Sequence, residues 1–219
     1  MAVFDLVTCA SKEIRAQSDA IDQKYFFVDT ADEITIHGWN DFNRYAFTAS
    51  MLGDTLYGFF TVLPVTSECA ALFERNAIQE EDLSLDFVLP HESLRYAQYA
   101  YVPAIAIREL NDYTSHQCLA SLMVGITDLF LNGYDPNRLK KIYVNPTTYH
   151  GNRFVRRLGF KPLHGYKKNL TASDTYAVDF TPEIAEEYRR INAHYARFVN
   201  DNPWSKEKVG LIHQAAKFD

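Results

Sequence analysis

Apolar positions along the chain follow two different spacings, and the switch between them outlines the elements. "YAFTASML" and "TLYGFFTVLP" flank Gly53-Asp54. Two β-rich runs around a glycine-containing turn predict an antiparallel hairpin over Tyr45–Leu52 and Thr55–Pro64. Short strands are predicted at Val3–Thr8, Glu33–Trp39, Leu139–Val144 and Thr175–Phe180, and another from Phe160 onward. A longer strand, "YAQYAYVPAIAIR", covers Tyr96–Arg108. Pro103 inside it removes a ladder donor, so a bulge or a locally unpaired stretch is expected there.

Helical spacing appears elsewhere. Ser11 is a plausible N-cap ahead of a stripe of Ile14, Ser18, Ile21 and Tyr25. Cys69–Arg75 reads as helical, and Gln79–Asp82 as an acidic turn or short helical entry. Leu119, Leu122, Met123, Ile126, Leu129 and Phe130 predict a helix over His116–Asn132 with Gly133 as its C′ residue. A short helix at Asn152–Leu158 ends at Gly159. Thr181-Pro182 opens a last helix, striped by Ile184, Tyr188, Ile191, Tyr195 and Phe198. The element order predicts an α/β (α+β) fold with a mixed sheet. No repeat or linker interrupts the 219 residues, and one domain is expected, with a core over about 3–180 and a helical extension over 181–219.

Composition narrows the class. A net charge of −6 disfavours broad nucleic-acid binding. The three cysteines are far apart, form no CxxC pair, and favour a reducing compartment. No run approaches the roughly 20 apolar residues that span a bilayer, and the first residues lack a secretory pattern, so no membrane association and a cytoplasmic location are expected. The seven histidines show no metal-ligand spacing, so no metal is expected. Neither a nucleophile elbow nor a Walker A sequence is present.

Two passages carry polar residues where a strand gives way to a helix. One runs from the Tyr96–Arg108 strand through "NDYTSHQ" into the 116–132 helix; its unpaired amides suit a phosphate, although most such turns hold none. Cys118 near the helix start is either an activated thiol or, more commonly, a buried structural one. The other is "VNPTTYHGNRFVRRLGF", Val144–Phe160, where Gly151 allows close backbone approach and Arg153, Arg156 and Arg157 could meet an anion or simply face solvent.

Taken together these segments resemble the GCN5-related N-acetyltransferase (GNAT) superfamily. The hairpin resembles its second and third strands, "YAYVPAIAI" the fourth, "LKKIYVNP" the fifth, and "GNRFVRRLGF" the short helix ending in Leu-Gly-Phe. "ALFERNAIQEEDLSLDFVL" resembles an insertion seen in some bacterial members. The resemblance covers Val3 to Phe180 and implies a mostly antiparallel central sheet flanked by helices, with the fourth and fifth strands splayed around acetyl-CoA as acyl donor. Ile105, Ala106 and Ile107 would then line the pantetheine arm. Ser115, His116, Gln117, Cys118, Leu119 and Ala120 would lie at the pyrophosphate, and Asn145, Gly151, Asn152 and Arg156 along the remaining cofactor wall.

The implied reaction is direct acyl transfer from CoA to a small-molecule or peptide amine. Glu109 is the expected base, with Tyr101 positioning water, and the N–H near Ile107 polarises the thioester carbonyl. Tyr99, Tyr101 and Tyr149 would give the cleft an aromatic lining. The family's general-acid tyrosine aligns with Val155, so Tyr149 or His150 is the candidate substitute. Thr114–Leu119 contains no glycine where the family has a glycine-rich loop. Both departures favour a second reading, a GNAT-like binding protein without catalysis, whose C-terminal stripe docks a partner or a second copy as a homodimer. A longer-chain acyltransferase is a third.

Overall fold

In the computed structural model, residues 4–8, 11–25, 31–108, 113–164 and 174–200 are described. A seven-stranded sheet forms the centre, in the order β1-β2-β3-β4-β5-β7-β6. Its first four strands are β1 (Asp5–Thr8), β2 (Phe47–Leu52), β3 (Thr55–Val65) and β4 (Tyr99–Ile107), each antiparallel to the next. Then β5 (Lys141–Val144) runs parallel to β4, and β7 (Tyr176–Asp179) pairs antiparallel with both β5 and the short β6 (Lys161–Pro162). The β2–β3 turn places Gly53 at φ +59°, the left-handed conformation that the sequence pattern requires there.

Helices cover both faces. On one, α4 (Tyr113–Asp128) and α6 (Pro182–Asn200) pack over Phe60, Val62, Val102 and Ile142. The other carries α1 (Lys12–Tyr25), α2 (Glu33–Phe42) and α3 (Ser67–Glu74). Here Phe73 stacks against both Tyr101 and Tyr143, with centroids 5.1 and 5.3 Å away. The short α5 (Tyr149–Arg157) links β5 to β6, with Thr148 Oγ1 accepting from Gly151 N at 2.9 Å as its cap. Gly159, at φ +86°, ends the turn that follows.

Several sequence-level expectations are corrected. Glu33–Trp39 was expected as a strand and is the body of α2. The β-branched Ile34 and Ile36 suggest extension, but Asp32 caps the segment by accepting from Thr35 N at 2.7 Å, and Trp39 is driven inward, donating its indole N–H to Leu83 O. The helix expected over His116–Asn132 begins earlier, at Tyr113, and closes in a π turn, Leu129–Gly133; Gly133 belongs to that turn and does not act as a C′ cap. Most of the aromatic stripe of α6 is covered, with Phe198 left exposed. Tyr188 is fully buried, Ile184, Ile191 and Tyr195 pack on the same core, and Asn192 Nδ2 donates to Val124 O and Thr127 Oγ1 of α4.

Pro103 sits at the bulge that its sequence position suggests. Thr61 pairs with Ala104 and Leu63 with Tyr101, so Val102 and Pro103 together oppose Val62. This extra residue resets the alternation of faces. Tyr101 and Ala104 both point to the α1–α3 side, while Val102 and Ile105 point toward α4. Close approach of α4 to the sheet depends on Gly58, where a Cβ would lie 2.7 Å from Ala106 O and 2.8 Å from Cys118 Sγ. Among the described residues no helix is long and apolar enough to cross a membrane.

Candidate functional site: two cavities lined by Pro103

Strands β4 and β5 pair only from Tyr99/Lys141 to Val102/Val144. There β5 ends, while β4 continues to Ile107. The parting opens a cleft of about 510 Å³, walled by Ile105, Ala106 and Ile107 from β4 and by Leu119 from α4. Opposite lie Asn145 to Thr148 and the inner side of α5, including Phe154 and Val155. The walls are mainly apolar, with a few polar groups placed among them, as ligand clefts commonly are.

Asn145 is the most informative of these groups. It is 4% exposed, lines the cleft, and neither Oδ1 nor Nδ2 has a hydrogen-bond partner among the described residues. Thr147 Oγ1, also on the wall, is likewise buried without a partner. Leaving an amide unsatisfied in this way costs on the order of 1–3 kcal/mol, which the fold keeps at a cavity wall.

The anticipated site residues fall into separate groups. Ile105, Ala106, Ile107, Leu119, Asn145, Gly151 and His150 line the cleft, His150 at its exposed rim. Ser115, Gln117, Cys118 and Ala120 do not: they are buried on α4, so their side chains are corrected from ligand contacts to packing positions. Burial pushes the Cys118 thiol up to about 12, which removes the activated-thiol reading. His116 is exposed on α4 and is not part of the cleft wall.

Asn152 and Arg156 are turned toward β7. Tyr176 Oη donates to Asn152 Oδ1 at 2.8 Å, and Arg156 Nη2 donates to Tyr176 Oη at 3.1 Å. The cleft rim carries Arg153 and Arg157 in their place, one helical turn apart on α5. Tyr149 is 75% exposed and absent from the wall. Glu109 lies outside the described residues.

Tyr101 requires the largest correction. It is fully buried on the α1–α3 side, so it does not reach the β4–β5 cleft or hold water there. Its hydroxyl instead donates to Glu80 Oε2 at 2.5 Å. Glu80 stands in a 3₁₀ turn (Glu80–Asp82) of the segment between α3 and β4, and its Oε1 accepts from Ala31 N at 3.4 Å. At 4% exposure its carboxyl is raised to about 7, chiefly by burial, with the Tyr101 and Ala31 hydrogen bonds pulling the other way.

Glu80 lines a second cavity, of about 240 Å³, on the opposite face of the sheet. Asp19, Asp22 and Asp32 face it, with Trp39, Phe47 and Phe59 as its aromatic walls. Pro103, at the bulge, lines both cavities. Sequence reading passed over Glu80 because nothing local separates it from Glu81 and Asp82. Those two are exposed, and Asp82 accepts from Gln79 N; only the folding of the turn under β4 selects Glu80. Among the described residues no group of three or more His, Cys, Asp or Glu is arranged to hold a metal ion.

No family model matches the chain, and no curated protein matches it. Solved structures do. FeeM, an N-acyl amino acid synthase from uncultured soil microbes, is 13% identical with a TM-score of 0.54, over 87% of this chain and 94% of its own. The loading GNATL domain of CurA from Lyngbya majuscula is 12% identical with a TM-score of 0.53, over 81% and 98%. A mosquito arylalkylamine N-acetyltransferase, like 5b, is 14% identical with a TM-score of 0.48, over 80% and 99%. Identities this low speak to architecture alone. With β4 and β5 parting beside a bulge and α5 closing the cleft, the chain has the fold of the GCN5-related N-acetyltransferases.

Proposed function

We propose that this chain is a divergent GNAT-superfamily acyltransferase that moves an acetyl or other acyl group from CoA to an amine. The observation that carries the reading is the apolar cleft where β4 outruns β5, with the buried, unpartnered amide of Asn145 in its wall. An acyl-CoA fits these features, and when bound it supplies the acyl carbon as a thioester. Beyond Val102 the outer edge of β4 has no strand beside it among the described residues, so backbone groups of Ile105–Ile107 are available to an amide-bearing arm and to a carbonyl oxygen. Asn145 and Thr147 offer further polar partners. Arg153 and Arg157, at the rim, suit the phosphates.

Val155 occupies the wall where relatives of this fold carry a tyrosine acid, and it offers no proton. A thiol is acidic enough, with an ordinary value near 8.5, to depart as thiolate without one. Catalysis therefore does not require Tyr149 or His150. The same valine supports the second reading, a protein that binds acyl-CoA without transferring the group.

Calorimetric titration with acetyl-CoA and with CoA tests the donor: saturable binding is expected, and none at millimolar ligand would sink the proposal. Thiol release from acetyl-CoA in the presence of an amine panel then separates the two readings. Release above the no-amine rate identifies a transferase, and binding without release a non-catalytic protein.

A further inference from the structure

The cavity on the α1–α3 side of the sheet is distinct from the donor cleft, and among the described residues Pro103 alone lines both. Its volume is roughly eight times the share of one water molecule in the liquid, enough for a small organic amine. Its floor is hydrocarbon and aromatic, from Trp39, Phe47 and Phe59. Asp19, Asp22, Asp32 and Glu80 face it, and among the described residues no lysine or arginine does. His37 binds Asp19 at 3.1 Å from outside the lining. Such a cavity favours a cation and opposes any ligand that brings its own carboxylate.

Glu80 differs from the three aspartates in being wholly enclosed. It is held by β4 through Tyr101 and by the start of α2 through Ala31 N. Behind it, Tyr101 touches the carboxyl, and the thiol of Cys69 lies near Tyr101. Two hydrogen bonds fix the carboxyl in one orientation, and the one from Tyr101 anchors it two residues along β4 from Pro103, which lines both cavities. A fixed orientation and an enclosure that makes accepting a proton favourable are what a proton acceptor needs.

We propose that Glu80, oriented by Tyr101, is the base of the reaction, and that the acceptor is a small primary amine without a carboxylate, held in this cavity. The inference rests on the acyl-transfer reading above. The ammonium gives one proton to Glu80. The freed nitrogen lone pair forms the C–N bond as the thioester C–S bond breaks, its electron pair leaving on sulfur. The second proton lost by nitrogen goes to that thiolate, giving an amide, a thiol and one proton released from Glu80. Tyr101 is a positioning residue: its hydrogen bond favours the ionised carboxylate and so sets the pH at which Glu80 is ready.

Tryptamine and tryptophan, which differ by a carboxylate, are the probes, used with the full chain. Tryptamine is expected to bind without any CoA compound, and tryptophan at least tenfold more weakly. The Glu80→Gln variant should bind acetyl-CoA as the wild type does, yet lose on the order of 100-fold or more in kcat with tryptamine. Tyr101→Phe should move the rise of the pH–rate profile to higher pH, a displacement that loss of packing alone would not produce. It also serves as the test if Glu80→Gln does not fold. Equal binding of tryptophan and tryptamine would overturn the assigned acceptor class. An unchanged kcat in Glu80→Gln, or an unmoved profile in Tyr101→Phe, would overturn the assigned base. Failure of the donor reading shows separately, as absence of acetyl-CoA binding to the wild type.

Discussion

Tyr101 and Glu80, 21 residues apart in the chain, are joined by a 2.5 Å hydrogen bond in which the phenol donates to the carboxylate. Burial nevertheless dominates, and raises Glu80 from 4.5 to about 7. The folded protein therefore holds a proton there across a pH range in which the unfolded chain has lost it. The sign follows directly: stability associated with this group is complete below pH 4.5 and declines as pH rises through about 7. The total is on the order of 3 kcal/mol. Urea unfolding of wild type and Glu80→Gln at pH 5 and pH 8 should show a wild-type loss that the variant lacks.

Asn145 predicts an opposition between stability and binding. Its amide is buried without a partner, so Asn145→Leu removes a desolvation penalty and should raise the stability of the ligand-free protein by about 1–2 kcal/mol. The same change should weaken acetyl-CoA by about tenfold, since one polar contact in an enclosed wall is worth about 1–2 kcal/mol. Thermal melting and calorimetry on the same preparation check both directions.

Gly58 lets α4 lie against the sheet. Gly58→Ala forces its new methyl into Ala106 O and Cys118 Sγ, and the carbonyl is backbone that cannot step aside. A loss of about 1–3 kcal/mol is expected, read as a lowered unfolding midpoint. A variant as stable as wild type would mean that α4 stands further from β3 than this packing requires.

The arginines of α5 face two ways, Arg153 and Arg157 to the cleft rim and Arg156 to Tyr176. Arg153→Ala with Arg157→Ala should weaken acetyl-CoA by about 1–2 kcal/mol, with a smaller effect at high salt. Arg156→Ala should leave that affinity unchanged. Its guanidinium bonds to Tyr176 Oη and lies 5.8 Å from the ring centre, so its loss should lower stability by about 1 kcal/mol or less. Salt-dependent titrations of the variants distinguish the two roles.

Much of the β4–β5 cleft is legible in the sequence. The hairpin, the long strand with a proline out of place, and a short helix ending at Gly159 are written in local residue choice, although that helix starts at Tyr149, three residues before the expected Asn152, where Thr148 caps it. Local patterns failed where distant contacts outweighed propensity. Ile34 and Ile36 suggest a strand until Trp39 has a cavity to fill, and the tyrosines of α6 look like an open face until α4 covers them.

What the sequence determines by itself is the hairpin, most of the helices and where the sheet must break, because caps, turns and an unpairable proline act over a few residues. It also places Asn145, Gly151 and the α5 arginines beside one another, since they share a single strand-to-helix passage. Tertiary structure alone decides which arginines face the cleft, because one turn of helix separates a rim position from a bond to Tyr176. It alone brings Glu80 under Tyr101 and against Ala31, from three segments that share no pattern. The properties of that carboxylate come from burial and from partners far along the chain, and no local window of sequence contains either.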